Sequence, residues 1–230
     1  MAYKDGEKMR LEEIKNLGIN PTAILDVGAH TGQFYNWAKP VWPDSVIWMI
    51  EANPLHENKL KAITDNTRDE YMIAALGDEE REVTFYTRVD KPFTEGNSYY
   101  EETGFWDIQH LVKKDKVTLQ TLDDLFTDDT TFELIKLDTQ GSELDILKGG
   151  KNLCQKASAI ILEISYIEYN IGAPSKEDLI SYMESIGFEK KMSIGEHYDN
   201  DNDRETFGQV NQKDIVFVNK NLKIIITFIR

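Results

Sequence analysis

The chain has 230 residues, of which 40% are hydrophobic and 29% are charged, and its formal net charge is −15. This composition is near that of an average globular domain and excludes collagen-like, low-complexity and wholly disordered chains. No apolar run reaches the roughly 18 residues of a membrane helix. The charged N-terminus shows no secretory signal, so we expect a cytoplasmic protein without a membrane span.

Two counts exclude further classes of function. The single cysteine, Cys154, excludes an intrachain disulfide and a zinc site built from several cysteines. The excess of acidic over basic residues disfavours a nucleic-acid partner, because proteins that bind nucleic acids concentrate basic charge to displace counterions from the phosphates.

Short apolar runs alternate with helical patterns along the chain. The runs predict strands at Ala23–Val27, Val46–Ile50, Tyr71–Leu76, Glu82–Tyr86, Phe132–Leu137, Ala159–Ile164 and Asp214–Val218. Helices are predicted at Thr31–Ala38, Pro54–Ile63, Ser142–Leu147 and Lys176–Ser185. Strands and helices that alternate in this way indicate βαβ units. We therefore predict a single α/β domain with a doubly wound, mostly parallel sheet and helices on both faces.

Two segments lie outside this alternation. Residues 1–20 are predicted to form an N-terminal helical extension. Residues 91–112 form a long aromatic insertion, and a long irregular loop in a compact domain is usually functional. We place this insertion on the substrate side, and its candidate substrate-binding residues are Tyr99, Tyr100, Trp106 and His110.

The ends of the first two predicted strands carry residues typical of a nucleoside site. In an open parallel sheet, ligands bind outside the carboxyl ends of the strands, where the strand order reverses. The first strand runs into the segment Asp26–Gly32, whose glycines Gly28 and Gly32 permit a sharp turn and the close approach of a ligand. The second strand leads to Glu51, and an acid at that place can accept hydrogen bonds from both ribose hydroxyls.

The same residues discriminate among nucleoside cofactors. A dinucleotide site requires G-x-G-x-x-G, whereas these glycines are spaced G-x-x-x-G, with His30 where the second glycine is required. A G-K-[ST] sequence for a nucleoside triphosphate is also absent from the chain. Asp26 would repel phosphates and attract a cation. This favours S-adenosylmethionine, which carries adenosine, a sulfonium and an ammonium but no phosphate.

Longer stretches of the sequence resemble a known family. The segments LDVGAHTG, EANP, AALGDEEREVTFY, TLDDL, LIKLDTQGSELDILKGG and IILEI follow one another between about residues 22 and 165. Together they resemble the FkbM-type family of S-adenosylmethionine-dependent methyltransferases. The most specific part is the K-x-D-x-x-G-x-E-x-x-x-L-x-G string at Lys136–Gly149. One departure is Gln140, which stands where the family commonly has an acid.

The resemblance implies a seven-stranded, Rossmann-like methyltransferase sheet with S-adenosylmethionine as cofactor. Members of the family are mainly O-methyltransferases that act on sugars, so the expected reaction moves a methyl group to a hydroxyl of a carbohydrate or glycoconjugate. The predicted cofactor-binding residues are Asp26, Gly28, Ala29, His30, Thr31, Gly32, Glu51, Ala52, Asn53, Ala75, Leu76 and Asp138.

The catalytic base is predicted near the strand ends that would surround the methyl group. A hydroxyl is a poor nucleophile at neutral pH, so a base that accepts its proton should accelerate transfer. The candidates are Asp138, Glu163 and His197, with His110 as a further histidine. Asp138 and Glu163 could instead hold a Mg²⁺ ion that lowers the pKa of a sugar hydroxyl.

Three other functions stay open at this point. One is methylation of a nucleic-acid or protein acceptor, and another is a nonenzymatic subunit that binds S-adenosylmethionine. The third is an oxidoreductase, which ranks last because His30 stands in the glycine loop.

Overall fold

The computed structural model describes residues 9–89, 97–103, 109–197 and 212–221; the side chains of residues 196 and 197 lie outside this description. In chain order, the strands are β1 (Ala23–Val27), β2 (Val46–Glu51), β3 (Glu70–Ile73), β4 (Glu82–Arg88), β5 (Val112–Thr118), β6 (Leu134–Leu137), β7 (Ala159–Ser165), β8 (Phe188–His197) and β9 (Gln212–Asn219). The helices are α1 (Leu11–Asn16), α2 (Gln33–Val41), α3 (Glu57–Thr64), α4 (Leu122–Leu125), α5 (Glu143–Gly149), α6 (Lys151–Cys154) and α7 (Lys176–Ser185), and a short 3₁₀ helix, Pro54–His56, precedes α3.

Seven of the strands form one sheet in the order β3-β2-β1-β6-β7-β9-β8. Strands β3, β2, β1, β6 and β7 are parallel to one another, whereas β9 runs antiparallel to both β7 and β8, between which it lies. The predicted doubly wound, mostly parallel seven-stranded sheet is therefore confirmed. The strand order reverses at β1, whose two neighbours are β2 and β6. Such a switch point is where open α/β sheets bind ligands.

Each face of the sheet packs against its own group of helices. The core on one face includes Leu147 of α5 and Leu179 of α7. The core on the other face includes Ile14 of α1, Phe34 of α2 and Leu60 of α3. This arrangement confirms helices on both faces, and α1 lies within the predicted N-terminal extension. Among the described residues, no helix is both long and apolar enough to span a membrane.

The structure differs from the predicted elements in several places. Strands β5 and β8 were not predicted, because lysines interrupt their apolar patterns, and β8 is an exposed-edge strand of the sheet. Strand β4 lies outside the main sheet and pairs with β5 in an antiparallel ribbon. Strand β3 ends at Ile73 rather than at Leu76, because Leu76 pairs with Gln120 instead. His197, a candidate base from the sequence, is the last residue of β8.

A buried carboxylate connects α2 to the first strands of the sheet. One oxygen of Asp69 accepts hydrogen bonds from the ammonium of Lys39 at 2.7 Å and from the backbone N–H of Ile47 at 2.8 Å. Its other oxygen accepts from the hydroxyl of Tyr35 at 2.9 Å. Burial would raise the pKa of Asp69, but Lys39 and these hydrogen bonds outweigh it and lower the pKa below its ordinary value.

We expect Asp69→Asn to lower the free energy of unfolding at neutral pH by about 1–3 kcal/mol, since a charged, buried hydrogen-bond network is lost. Because the folded pKa of Asp69 lies below the ordinary value of 3.8, the ionised group contributes fully above that value and its contribution is lost as the pH falls through the folded pKa. In urea unfolding, the difference in the free energy of unfolding between the wild type and Asp69→Asn should therefore be smaller at about pH 3 than at about pH 7. Asp65→Asn, at an exposed acid of the same segment, is the control, and an equal loss in both variants would contradict the prediction.

Candidate active site

A cavity opens at the carboxyl ends of the parallel strands, at the switch point next to β1. The cavity is lined by Met9, Val27, Gly28, Ala29, His30, Gln33, Phe34, Trp37, Ile50, Glu51, Ala52, His56, Ala74, Ala75, Leu76, Phe85, Asn97, Ser98, Tyr99, Lys136, Asp138, Thr139, Gln140, Ser142, Ile146 and Glu163. Following the strand order, its wall runs from the residues after β3, past Glu51 on β2 and Gly28 after β1, to Asp138 after β6 and Glu163 on β7.

The loop after β1 is held close to the next strand. The backbone N–H groups of Gly28 and Ala29 both donate to the carbonyl of Ile50, at 2.9 and 3.0 Å. Gly28 has a φ of +80°, and a Cβ added there would overlap the carbonyl oxygen of Asp138. Glycine is therefore required for both its conformation and its close approach to the loop after β6. His30 also adopts a left-handed φ, 51°, which turns its N–H toward Glu51.

Glu51 presents a carboxylate that the backbone has already positioned. One of its oxygens accepts from the N–H of His30 at 2.7 Å, and the other accepts from the N–H of Asn53 at 2.8 Å. Burial raises the pKa of Glu51, and these N–H groups oppose the rise by stabilising the anion. The result is an oriented acceptor on the cavity wall with lone pairs left for a ligand.

A buried lysine lies among several acids on one face of the sheet. Lys136 is paired with Asp26 in the register of β1 and β6, and its ammonium lies 2.8 Å from one carboxylate oxygen of Asp138. Burial would lower the pKa of Lys136, but Asp138 and Asp26 raise it, so the side chain is charged. Its charge compensates part of the negative charge that accumulates at these strand ends.

Asp26 is fully buried next to this lysine. Neither of its carboxylate oxygens has a hydrogen-bond partner among the described residues. Burial raises the pKa of Asp26 to about 7, with smaller contributions from Asp138 and Glu51, while Lys136 opposes the rise. An unsatisfied buried carboxylate is costly, and a cation bound in the cavity would stabilise its ionised form.

Asp138 and Glu163 are connected by a glutamine. The side-chain amide of Gln140 donates to Asp138 at 3.2 Å and to Glu163 at 2.9 Å. The amide of Gln212, on β9, donates to the same oxygen of Glu163 at 3.1 Å. Burial, followed by the charges of Asp138 and Asp214, raises the pKa of Glu163 well above 4.5. An ionised acid at position 140 would repel both carboxylates, so the departure from the family pattern at Gln140 stabilises this pair.

The backbone that carries this pair is organised by Glu143. Its carboxylate accepts from the N–H of Thr139 at 2.7 Å and from the N–H of Gly141 at 3.1 Å. Burial raises the pKa of Glu143 to about 7, although these N–H groups favour its anion. The G-x-E part of the family string therefore fixes the loop after β6.

The structure divides the predicted cofactor residues into two groups. Those on the cavity wall are Gly28, Ala29, His30, Glu51, Ala52, Ala75, Leu76 and Asp138, whereas Asp26, Thr31, Gly32 and Asn53 are not among the lining residues. The second group supports the first. Asn53, for example, donates to Glu51 and caps the 3₁₀ helix by accepting from the N–H of Leu55.

The predicted substrate and catalytic residues are also separated. Tyr99, Asp138 and Glu163 line the cavity, whereas Tyr100 and the exposed His110 do not. The backbone of His197 pairs with Gln212, the neighbour of Glu163, while its side chain lies outside the description. Trp106 lies outside the described residues.

Several residues of the site were not assigned a role from the sequence. They are Lys136, Gln140, Asp145, Gln212 and the cavity-lining aromatics Phe34, Trp37 and Phe85. A signal existed for Lys136, since a charged residue inside the buried run LIKL requires compensation. For Asp145 the sequence offered none, because an acid in the first turn of a helix is ordinary.

The comparisons with known proteins agree with this geometry. The model of the methyltransferase FkbM domain matches residues 26–190. Among solved structures, an S-adenosylmethionine-dependent methyltransferase from Clostridium acetobutylicum ATCC 824 superposes with a TM-score of 0.52 at 10% identity, over 95% of this chain and 92% of that one. The N-terminal domain of EvdMO1, solved with S-adenosylhomocysteine bound, superposes with a TM-score of 0.50 at 13% identity, over 94% of this chain and 82% of that one.

Two further comparisons limit what can be transferred. The pyocyanin biosynthetic protein PhzM gives a TM-score of 0.43 at 10% identity, and the match covers 92% of this chain but only 54% of PhzM. No curated protein matches this sequence. The structural similarity therefore supports the fold, while the family match covers well over half of the chain. This chain belongs to the FkbM methyltransferase family.

Proposed function

We propose that this chain is an O-methyltransferase that moves a methyl group from S-adenosylmethionine to a hydroxyl of a carbohydrate or glycoconjugate. The observation that carries the proposal is one cavity that joins the oriented carboxylate of Glu51 to the carboxyl pair of Asp138 and Glu163. The carboxylate of Glu51 suits a nucleoside cofactor, and the pair of Asp138 and Glu163 suits removal of a proton from a hydroxyl.

The residues of this site fit S-adenosylmethionine. This cofactor, when bound, supplies a methyl group on a positively charged sulfur. Glu51 would accept hydrogen bonds from the ribose hydroxyls, and the glycine at position 28 lets the loop after β1 approach the loop after β6 on the cavity wall. The buried carboxylate of Asp26, which has no hydrogen-bond partner among the described residues, favours a ligand with positive charge. All the predicted cofactor residues on the cavity wall are proposed to contact the cofactor. The predicted residues that do not line the cavity, Asp26, Thr31, Gly32 and Asn53, are proposed to support the wall.

Glu163 is the better placed of the two carboxyl groups to act as the base. The ammonium of Lys136 lies 2.8 Å from a carboxylate oxygen of Asp138, so this carboxylate is already engaged in an ion pair. Burial and neighbouring acids raise the pKa of Glu163, and a base is most effective when its pKa approaches the working pH. Two glutamine amides hold one oxygen of Glu163, which orients the group. His197 remains the alternative base, on β8, which β9 separates from the strand of Glu163.

The charge distribution bears on the acceptor and on the metal. The cavity contributes Glu51, Asp138 and Glu163 to a chain of net charge −15, which disfavours a polyanionic nucleic-acid acceptor. The described residues contain no group of three or more His, Cys, Asp or Glu side chains placed to hold a metal ion. The mechanism proposed here therefore uses no step at Mg²⁺. Methyl transfer that stops on exhaustive chelation would contradict it.

The cofactor assignment is tested by calorimetric titration with S-adenosylhomocysteine and with NAD. We expect the wild type to bind the former and not the latter. Glu51→Ala should weaken binding by roughly 10–100-fold, because two hydrogen bonds to a charged acceptor are lost. Glu57→Ala, at an exposed acid at the start of α3, is the matched control and should bind normally. Binding of NAD alone would overturn the methyltransferase proposal.

The base is tested once an acceptor is found by counting transferred methyl groups with mass spectrometry on a panel of glycans. On that acceptor, Glu163→Gln should lower kcat by roughly 10²–10⁴-fold while the affinity for S-adenosylhomocysteine is kept. Since the pKa of Glu163 is raised, wild-type turnover should increase as the pH rises through a value above 4.5. The turnover of Glu163→Gln should not show this increase.

Glu168→Gln, at an exposed acid in the loop after β7, is the control for this variant. An unchanged kcat in Glu163→Gln would contradict the assignment and transfer the role to Asp138 or His197. If the protein binds the cofactor but methylates no hydroxyl, while it does methylate a protein or nucleic acid, the acceptor class proposed here is wrong.

A further inference from the structure

Residues 97–103, which we call the strap, cross one side of the cavity. At one end, Ser98 pairs with Tyr86 of β4 through backbone hydrogen bonds of 2.8 and 3.3 Å. At the other end, the N–H of Thr103 donates to the carbonyl of Tyr169 at 2.9 Å, within the segment that follows β7. The strap therefore connects the β4–β5 ribbon to the opposite side of the site.

In its middle, the strap is attached to α5 by a single carboxylate. One oxygen of Asp145 accepts from the hydroxyls of both Tyr99 and Tyr100, at 3.0 and 2.8 Å. Asp145 is 7% exposed, so these bonds form largely away from water and are charge-assisted. The guanidinium of Arg81 lies 5.9 Å from the centre of the Tyr99 ring and adds positive charge on this side.

The strap borders the apolar part of the cavity. Asn97, Ser98 and Tyr99 share the wall with Leu76, Phe85 and Ile146. Leu76 and Ile146 belong to the core on the α5 and α7 face of the sheet. The acidic part of the cavity lies instead at the ends of β6 and β7, with Asp138 and Glu163.

We propose that Asp145, acting through Tyr99 and Tyr100, holds the strap as the outer wall of the adenine-binding part of the cofactor site. This inference rests on the proposed function, since it needs S-adenosylmethionine as the cofactor. With the ribose at Glu51, the adenine would occupy the apolar part of the cavity and the sulfonium would face the acids. Asp145 is a positioning residue, and the aromatic insertion expected to bind the acceptor contributes at Tyr99 to the cofactor site.

The chemistry of the wall matches a purine. Leu76, Phe85 and Ile146 offer apolar contact to a flat ring. Asn97 and Ser98 are the polar residues that the strap adds to the wall, and an amide can both donate to and accept from the edge of a base. An acidic surface would suit this neutral group less well than it suits the sulfonium and ammonium.

The test compares two ligands that share the adenosine end. S-Adenosylhomocysteine carries the amino-acid end, and 5′-methylthioadenosine lacks it. We expect Asp145→Asn to weaken the binding of both, measured by calorimetry, by the same factor of about ten or more, because two charge-assisted hydrogen bonds are altered. Tyr99→Phe and Tyr100→Phe, which keep the rings, should each weaken both ligands by a smaller, equal factor. In the Asp145→Asn background, neither tyrosine change should add a further loss.

Tyr182→Phe is the matched control, since it removes from α7 a tyrosine hydroxyl that donates to the carbonyl of Leu147 on α5, and neither residue lines the cavity. A general loosening of the fold would lower the melting temperature of the variant, whereas the proposed role weakens the binding of both ligands in protein that is still fully folded at the temperature of the titration. Wild-type affinity for both ligands in Tyr99→Phe, Tyr100→Phe and Asp145→Asn would overturn the inference and leave the proposed function intact. A wild-type protein that binds neither ligand would overturn both.

Discussion

The charge of Lys136 is the constraint on which the site depends. This ammonium is 4% exposed in the middle of a strand, and an ion in such a place is tolerated only when it is paired and hydrogen-bonded. Asp138 provides the direct partner at 2.8 Å, and Asp26 and Asp214 lie close enough to raise the pKa of the lysine further. The carboxyl edge of the sheet is therefore polar where apolar side chains would otherwise close it.

Acids outnumber the buried cation, and this imbalance gives the cavity its chemistry. Within the described part of the chain the Asp26 carboxylate has no hydrogen-bond partner, and the pKa of Glu163 is raised, because Lys136 compensates only part of the charge. A ligand with positive charge would complete the balance. On the other side, the strap and the core residues near α5 form an uncharged wall, so one cavity offers two environments to the two ends of a single ligand.

Much of the fold could be predicted from local patterns. Strand β1 and helix α7 lie where the sequence placed them, since a short run that is apolar except for Asp26 and a Ser175 capping box define their limits locally. Strands β5 and β8 could not be predicted in this way. The first lies in an exposed ribbon and the second at the edge of the sheet, where charged side chains are accommodated in water and hide the alternation.

The sequence by itself determined the parallel strands of the sheet, the family and the residues of the loop after β1, because these depend on periodicity and on short motifs such as the one around Gly28. Only the tertiary structure decided which acid is neutralised by Lys136, which glutamines hold Glu163 and where Tyr99 and Tyr100 of the aromatic insertion lie. Tyr99 and Tyr100 meet Asp145 across 46 and 45 residues of chain. Such contacts arise from the packing of distant segments, and no local pattern encodes them.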